Sequence, residues 1–184
     1  ANISVRINPD IDAHTHKYVT TGLYENKFGI SNHEFDKLIE FIQKSEHINF
    51  FGLHFHIGSQ ITRVKEVFYL ECQRVNEIVK YFESKGLTVN NINLGGGLGV
   101  DYDDPDGSPI ADFETWFNAI SDNIIRRKDQ AVHVEPGRSL VAQCASLISR
   151  VLFVKSGETK NCLIMDAGMN DLIRPALYGA YHNI

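Results

Sequence analysis

The chain has 184 residues, 43% of them hydrophobic and 22% charged, with a formal net charge of −5. That balance, with no long basic run, argues against a nucleic-acid surface as the main function, and no apolar run is long enough to cross a bilayer. Cys72, Cys144 and Cys162 stand far apart with no CxxC pair, which disfavours a disulfide framework or zinc ribbon and fits a reducing cytoplasm.

The chain opens directly in a strand-like run at residues 3–7 that ends at Asn8-Pro9-Asp10. This opening does not have the charged-apolar-small order of a secretory signal. A polar loop follows over residues 12–29; His14 and His16 lie in it and are assigned no role. Ser31 with Glu34 three residues on predicts a capping box. Beyond it Phe35, Leu38, Ile39 and Ile42 recur at helical spacing.

Residues 50–57 read as the second strand. A long helix is predicted over 62–85, with Val64, Val67, Phe68, Val75, Ile78, Val79 and Phe82 for its buried side and Gly86 as its C-cap glycine. A third strand over 91–94 runs into Gly95-Gly96-Gly97-Leu98-Gly99. The acidic loop 101–109 leads to a helix over 112–126 with an apolar face of Phe113, Trp116, Phe117, Ile120 and Ile124. A fourth strand, 131–134, ends at Glu135-Pro136-Gly137-Arg138. Strand and helix alternate throughout, which predicts an α/β fold with a parallel sheet and helical crossovers, either doubly wound or a barrel. After residue 140 the pattern changes. Residues 147–155 and 161–166 look like two strands joined through Ser156-Gly157-Glu158, the start of an antiparallel β domain. The predicted division is 1–143 and 144–184. The chain stops at Tyr181-His182-Asn183-Ile184 without a polar tail, the pattern of an internal piece of a longer protein.

Three polar clusters lie at the C-terminal ends of predicted parallel strands, the edge where α/β proteins build their sites. His54 and His56 are two apart on a strand and face one side. They read as a metal pair, as a ring stacking on a flat cofactor, or as a hydrogen-bonded structural pair. Gly95 and Gly97 do not complete a dinucleotide fingerprint, because Val100 occupies the third glycine position. The run reads either as an anion-holding nest or as a turn too tight for side chains. Glu135 and Arg138 flank a rigid Pro-Gly turn; a surface salt bridge is the alternative there. The Asp101–Gly107 run lacks the order of a calcium loop and reads as solvated.

In order along the chain, His54-Phe55-His56-Ile57-Gly58-Ser59-Gln60, the Gly95–Gly99 run, Glu135-Pro136-Gly137-Arg138 and Met169-Asn170-Asp171-Leu172-Ile173-Arg174-Pro175-Ala176-Leu177-Tyr178 resemble the HxHIGSQ, glycine-loop, EPGR and MNDLIRPALY elements of the diaminopimelate decarboxylases. Residues 6–10 and 25–29 fit as well. The resemblance implies the C-terminal half of a (β/α)8 barrel that binds pyridoxal 5'-phosphate, then the start of a β domain. His56 would stack on the pyridine ring. Ser59, the Gly95, Gly96 and Gly97 backbone and the Gly137-Arg138 turn would hold the phosphate. Glu135 would pair with the ring nitrogen. Arg138, Arg174 and Tyr178 would bind the substrate's distal carboxylate; no metal is implied. The implied reaction converts meso-2,6-diaminopimelate to L-lysine and carbon dioxide in a homodimer with a shared active site. A decarboxylase of another basic substrate, such as carboxynorspermidine, arginine or ornithine, and a non-catalytic homologue are the alternatives. The family's Schiff-base lysine lies in a YAxKAN-like segment, and no lysine here has such surroundings. By this resemblance the span is inactive alone.

Overall fold

The computed structural model describes residues 1–11, 28–104 and 111–182. His14, His16 and most of the polar loop predicted over 12–29 lie outside these residues, as does the latter part of the acidic loop. Four strands, β1 (Asn2–Arg6), β2 (Asn49–His54), β3 (Asn91–Asn93) and β4 (Ala131–His133), form a parallel sheet in sequential order. Between them run α1 (Phe35–Lys44), α2 (Val64–Ser84) and α3 (Phe113–Asn123). An order without reversal winds in one direction, as in a barrel. The doubly wound alternative needs a switch point that these strands lack.

The helices form where apolar spacing foretells them. Phe35, Ile39 and Ile42 of α1 are buried, as are Val67, Phe68, Val75, Ile78 and Phe82 of α2 and Trp116 and Ile120 of α3. They cover Leu53, Phe55, Ile57, Ile92 and Leu94, all at most 1% exposed. Gly86 takes φ +87° just past α2, the left-handed conformation that ends a helix.

The expected capping box does not form. Ser31 precedes a short 3-10 turn (Asn32–Glu34), and its side chain caps nothing; the Glu34 amide bonds instead to the Ser31 carbonyl at 2.9 Å. The tighter turn satisfies the amide through the backbone. Asp112 does cap α3, its Oδ1 accepting from the Thr115 amide at 3.0 Å. Asp112→Ala is expected to lower stability by about 1 kcal/mol. Denaturant unfolding measures this, and amide exchange confined to the first turn of α3 locates it.

The ladder of β2 ends at His54, three residues short of the predicted 57; the Phe55 amide still bonds to the carbonyl of Asn93, the last residue of β3, at 2.7 Å, and beyond it β3 gives way to the glycine run. One register shift in the β1–β2 ladder, where Ile3 faces Phe50 and Ser4 faces Gly52, makes Phe51 an extra residue. Such a bulge resets the in-and-out alternation. Leu53 then points to the helices, and His54 points to the opposite face of the sheet.

Farther along, α4 (Arg138–Val141) follows the Gly137 turn, β5 (Val151–Ser156) pairs antiparallel with β6 (Asn161–Met165), and α5 (Arg174–Tyr178) carries Pro175 in its first turn. Every residue of β5 and β6 is exposed, including Phe153, Val154, Leu163 and Ile164. A two-stranded ribbon of this kind has little stability of its own.

Candidate active site

The sheet register sets the site. Arg6 pairs with His54, His54 with Asn93, and Asn93 with His133. These four residues form one row across the sheet, on the face away from the helices. His56 and Glu135 lie two positions beyond His54 and His133. Asn93 Nδ2 donates to Glu135 Oε1 at 2.8 Å, and Asn93 Oδ1 accepts from the Gly95 amide at 2.8 Å. His54 Nε2 lies 3.6 Å from Glu135 Oε2 and is buried without a hydrogen-bond partner.

Burial favours the neutral form of both rings. Burial lowers the pKa of His54 against the pull of Glu135. Burial, with the positive field of Arg6, lowers that of His56. The Gly96 amide donates to His56 Nδ1 at 3.3 Å, so the ring proton belongs on Nε2. Burial also lowers the pKa of Arg6, while Glu135 opposes the shift.

The glycine run closes against its neighbours. A Cβ on Gly95 would stand 2.3 Å from the Phe55 carbonyl oxygen, on Gly96 1.8 Å from that of Glu135, and on Gly97 2.5 Å from that of Gly58. Three strand-end loops meet there backbone to backbone, so the tight-turn reading holds. Of the three amides, those of Gly95 and Gly96 are engaged by Asn93 and His56. Ser59, in the loop after β2, is partly buried. Gly137, at φ +57°, turns the chain into α4, and Arg138 Nη1 donates to Gln60 Oε1 at 3.1 Å.

Arg174 and Tyr178 form a second group. The Arg174 guanidinium lies 5.4 Å from the Tyr102 ring centre and 5.7 Å from that of Tyr178, and its Nε donates to His182 Nε2 at 3.4 Å. Among the described residues no hydrogen bond or ion pair joins Arg174 or Tyr178 to Glu135 or Arg138. Tyr102, which follows the glycine run, ties this group to the loop after β3.

Sequence reasoning singled out His56, Glu135 and Arg138 but missed Asn93, His133 and the bridging role of Gln60. The available signal was strand parity, since Asn93 stands two residues before Gly95 on the strand that carries the turn. Among the described residues no three His, Cys, Asp or Glu side chains gather as a metal set. No described helix is long and apolar enough to cross a membrane. The residues present do suit a flat, phosphorylated, ring-nitrogen cofactor. They gather a carboxylate, an imidazole, a glycine turn, a serine and an arginine at the C-terminal ends of β2, β3 and β4.

The sequence model of the family described as "Pyridoxal-dependent decarboxylase, pyridoxal binding domain" matches residues 1–142. Diaminopimelate decarboxylase of Bacteroides thetaiotaomicron is 50% identical over the whole chain, which covers 47% of that protein; the Haemophilus influenzae enzyme is 40% identical, with 43% covered. Among solved structures, a mutant diaminopimelate decarboxylase of Helicobacter pylori complexed with L-lysine superposes with TM-score 0.88 at 38% identity, covering all of this chain and 45% of the other. The chain thus spans about half the length of the relatives it matches. The match is to the N-terminal, pyridoxal-binding part of these proteins, which corrects the expected C-terminal half of a barrel. The physical reason for the error is that each strand-helix unit repeats the same pattern, so periodicity carries no information on which part of the parent is present. Enzymes of this family are carboxy-lyases whose cofactor is pyridoxal phosphate, and with residues 1–142 matched the chain belongs to the pyridoxal-dependent decarboxylases.

Proposed function

We propose that the whole protein decarboxylates meso-2,6-diaminopimelate to L-lysine and carbon dioxide, and that this span supplies much of its cofactor pocket. The observation that carries the reading is the convergence of Glu135, Asn93 and His56 beside the Gly95–Gly97 turn at one sheet edge. When bound, pyridoxal phosphate supplies an electron sink for the pair left by the departing carboxyl group. The residues do the positioning. His56 would pack against the ring. Glu135, steered by Asn93, holds a proton on the ring nitrogen. Ser59, the Gly97 backbone and the Gly137-Arg138 turn would take the phosphate, with Gly95 and Gly96 holding the turn through Asn93 and His56. Arg138, Arg174 and Tyr178 bind the distal carboxylate, for which a forked guanidinium suits better than an ammonium.

In this reading residues 1–143 belong to the cofactor-binding barrel and 144–184 open the β domain. The parent acts as a homodimer in the cytoplasm. The exposed Phe153, Val154, Leu163 and Ile164 of the ribbon support a further covering layer. The test is release of carbon dioxide by the full-length protein with pyridoxal phosphate. Turnover of diaminopimelate well above that of ornithine, arginine and carboxynorspermidine is expected; preference for one of the others would overturn the substrate.

The cofactor-bearing lysine is placed outside these 184 residues. None of the span's lysines stands in surroundings like the family's YAxKAN segment. Borohydride reduction of the span with pyridoxal phosphate is therefore expected to leave its intact mass unchanged. A single specific pyridoxyl group on one of its own lysines would contradict that placement.

A further inference from the structure

Gln60 has φ +64°, a left-handed backbone that costs an L residue free energy. Glycine would take this conformation without strain, and a glycine stands two residues earlier. The side chain explains why glutamine is here. Its Nε2 donates to the Val100 carbonyl, and its Oε1 accepts from the Val100 amide at 3.3 Å and from Arg138 Nη1 at 3.1 Å. The neighbouring backbone continues the stitch. The Ile61 amide bonds to the Gly97 carbonyl at 2.8 Å, and the Gly99 amide to the Ile61 carbonyl at 2.9 Å. One partly buried amide therefore joins the loops after β2, β3 and β4.

We propose that Gln60 is a positioning residue that aims the Arg138 guanidinium at the substrate's carboxylate. The inference rests on the reading of Arg138 as an anion-binding residue. The residue type follows from the bonds. The Val100 carbonyl needs a donor, while the Val100 amide and the guanidinium need an acceptor. A primary amide offers both, whereas a carboxylate offers only acceptors and would itself neutralise Arg138. The strained φ holds the amide between the two loops. An arginine fixed on one nitrogen retains the rest of its fork for a ligand.

The test uses the full-length, cofactor-loaded protein with diaminopimelate. Gln60→Gly relieves the strained backbone and removes the three side-chain bonds, so a loss of function is not a loss of folding. It is expected to raise KM about tenfold with kcat within about threefold of wild type. Gln60→Met, which keeps the bulk, is expected to do the same. In an Arg138→Ala background neither change should add to the defect. Arg138 should also react severalfold faster with phenylglyoxal in Gln60→Gly, as mapped by mass spectrometry. Unchanged KM and unchanged labelling would overturn the proposal, as would an equal penalty without Arg138. If the wild type fails to turn over diaminopimelate, the functional reading fails, and the labelling rate alone then decides the role of Gln60.

Discussion

Replacing Glu135 by Gln is expected to lower kcat of the full-length protein by roughly 10²–10³-fold, with little change in KM. The argument starts from the row across the sheet. Asn93 holds one carboxylate oxygen at 2.8 Å, and the other faces His54 Nε2 at 3.6 Å. In the proposed function that carboxylate keeps the cofactor's ring nitrogen protonated, which makes the ring an electron sink. An amide keeps the size and still accepts from Asn93, but it carries no charge to hold a proton opposite. The loss therefore falls on the transition state and not on substrate binding. Steady-state kinetics measure it, and the absorbance of the bound cofactor, followed against pH, reports the ring nitrogen separately. A variant retaining kcat within about threefold would remove Glu135 from the chemistry.

The second expectation concerns stability. Glu71 lies on the buried side of α2 at 1% exposure, and its Oε1 has no hydrogen-bond partner. Burial raises its pKa well above the ordinary 4.5. A raised carboxylate pKa means that the folded protein holds a proton that the unfolded chain releases. The associated stability is full below about 4.5 and is lost as pH rises through the folded value, at up to about 1.4 kcal/mol per pH unit. Glu71→Gln removes that slope and is expected to stabilise the protein at neutral and alkaline pH relative to wild type. The adjacent Cys72 does not interfere, because burial pushes its thiol up to about 12. Urea unfolding of both proteins across pH 5 to 9 is the measurement. Parallel profiles would show that Glu71 finds water or a partner when it ionises.

Both expectations depend on residues whose importance was unequally visible beforehand. Glu135 is visible in the sequence, since its place before Pro-Gly at a predicted strand end, beside two other strand-end clusters, raises a functional reading over a surface salt bridge. Glu71 is not. It sits at a helical position in register with buried Val67, Phe68, Cys72 and Val75, but a carboxylate reads by type as a solvent-facing residue. Its burial is decided by the packing of α3 across α2, where Phe68 meets Trp116 at 5.6 Å between ring centres.

The local sequence determined the alternation of strand and helix, the buried faces of α1, α2 and α3, the helix-ending Gly86, and the placing of His56, the glycine run and Glu135 at strand ends. These follow from side-chain periodicity and from the conformational range of single residues, which neighbours in the chain suffice to specify. Tertiary structure alone decided that Ser31 caps nothing, that β2 stops at His54, that Arg6, His54, Asn93 and His133 share one row, and that Gln60 bridges to Arg138. All but the first of these depend on hydrogen bonds between segments far apart in the chain. A shift of one residue in strand register turns every side chain to the other face of the sheet, and no local pattern encodes it.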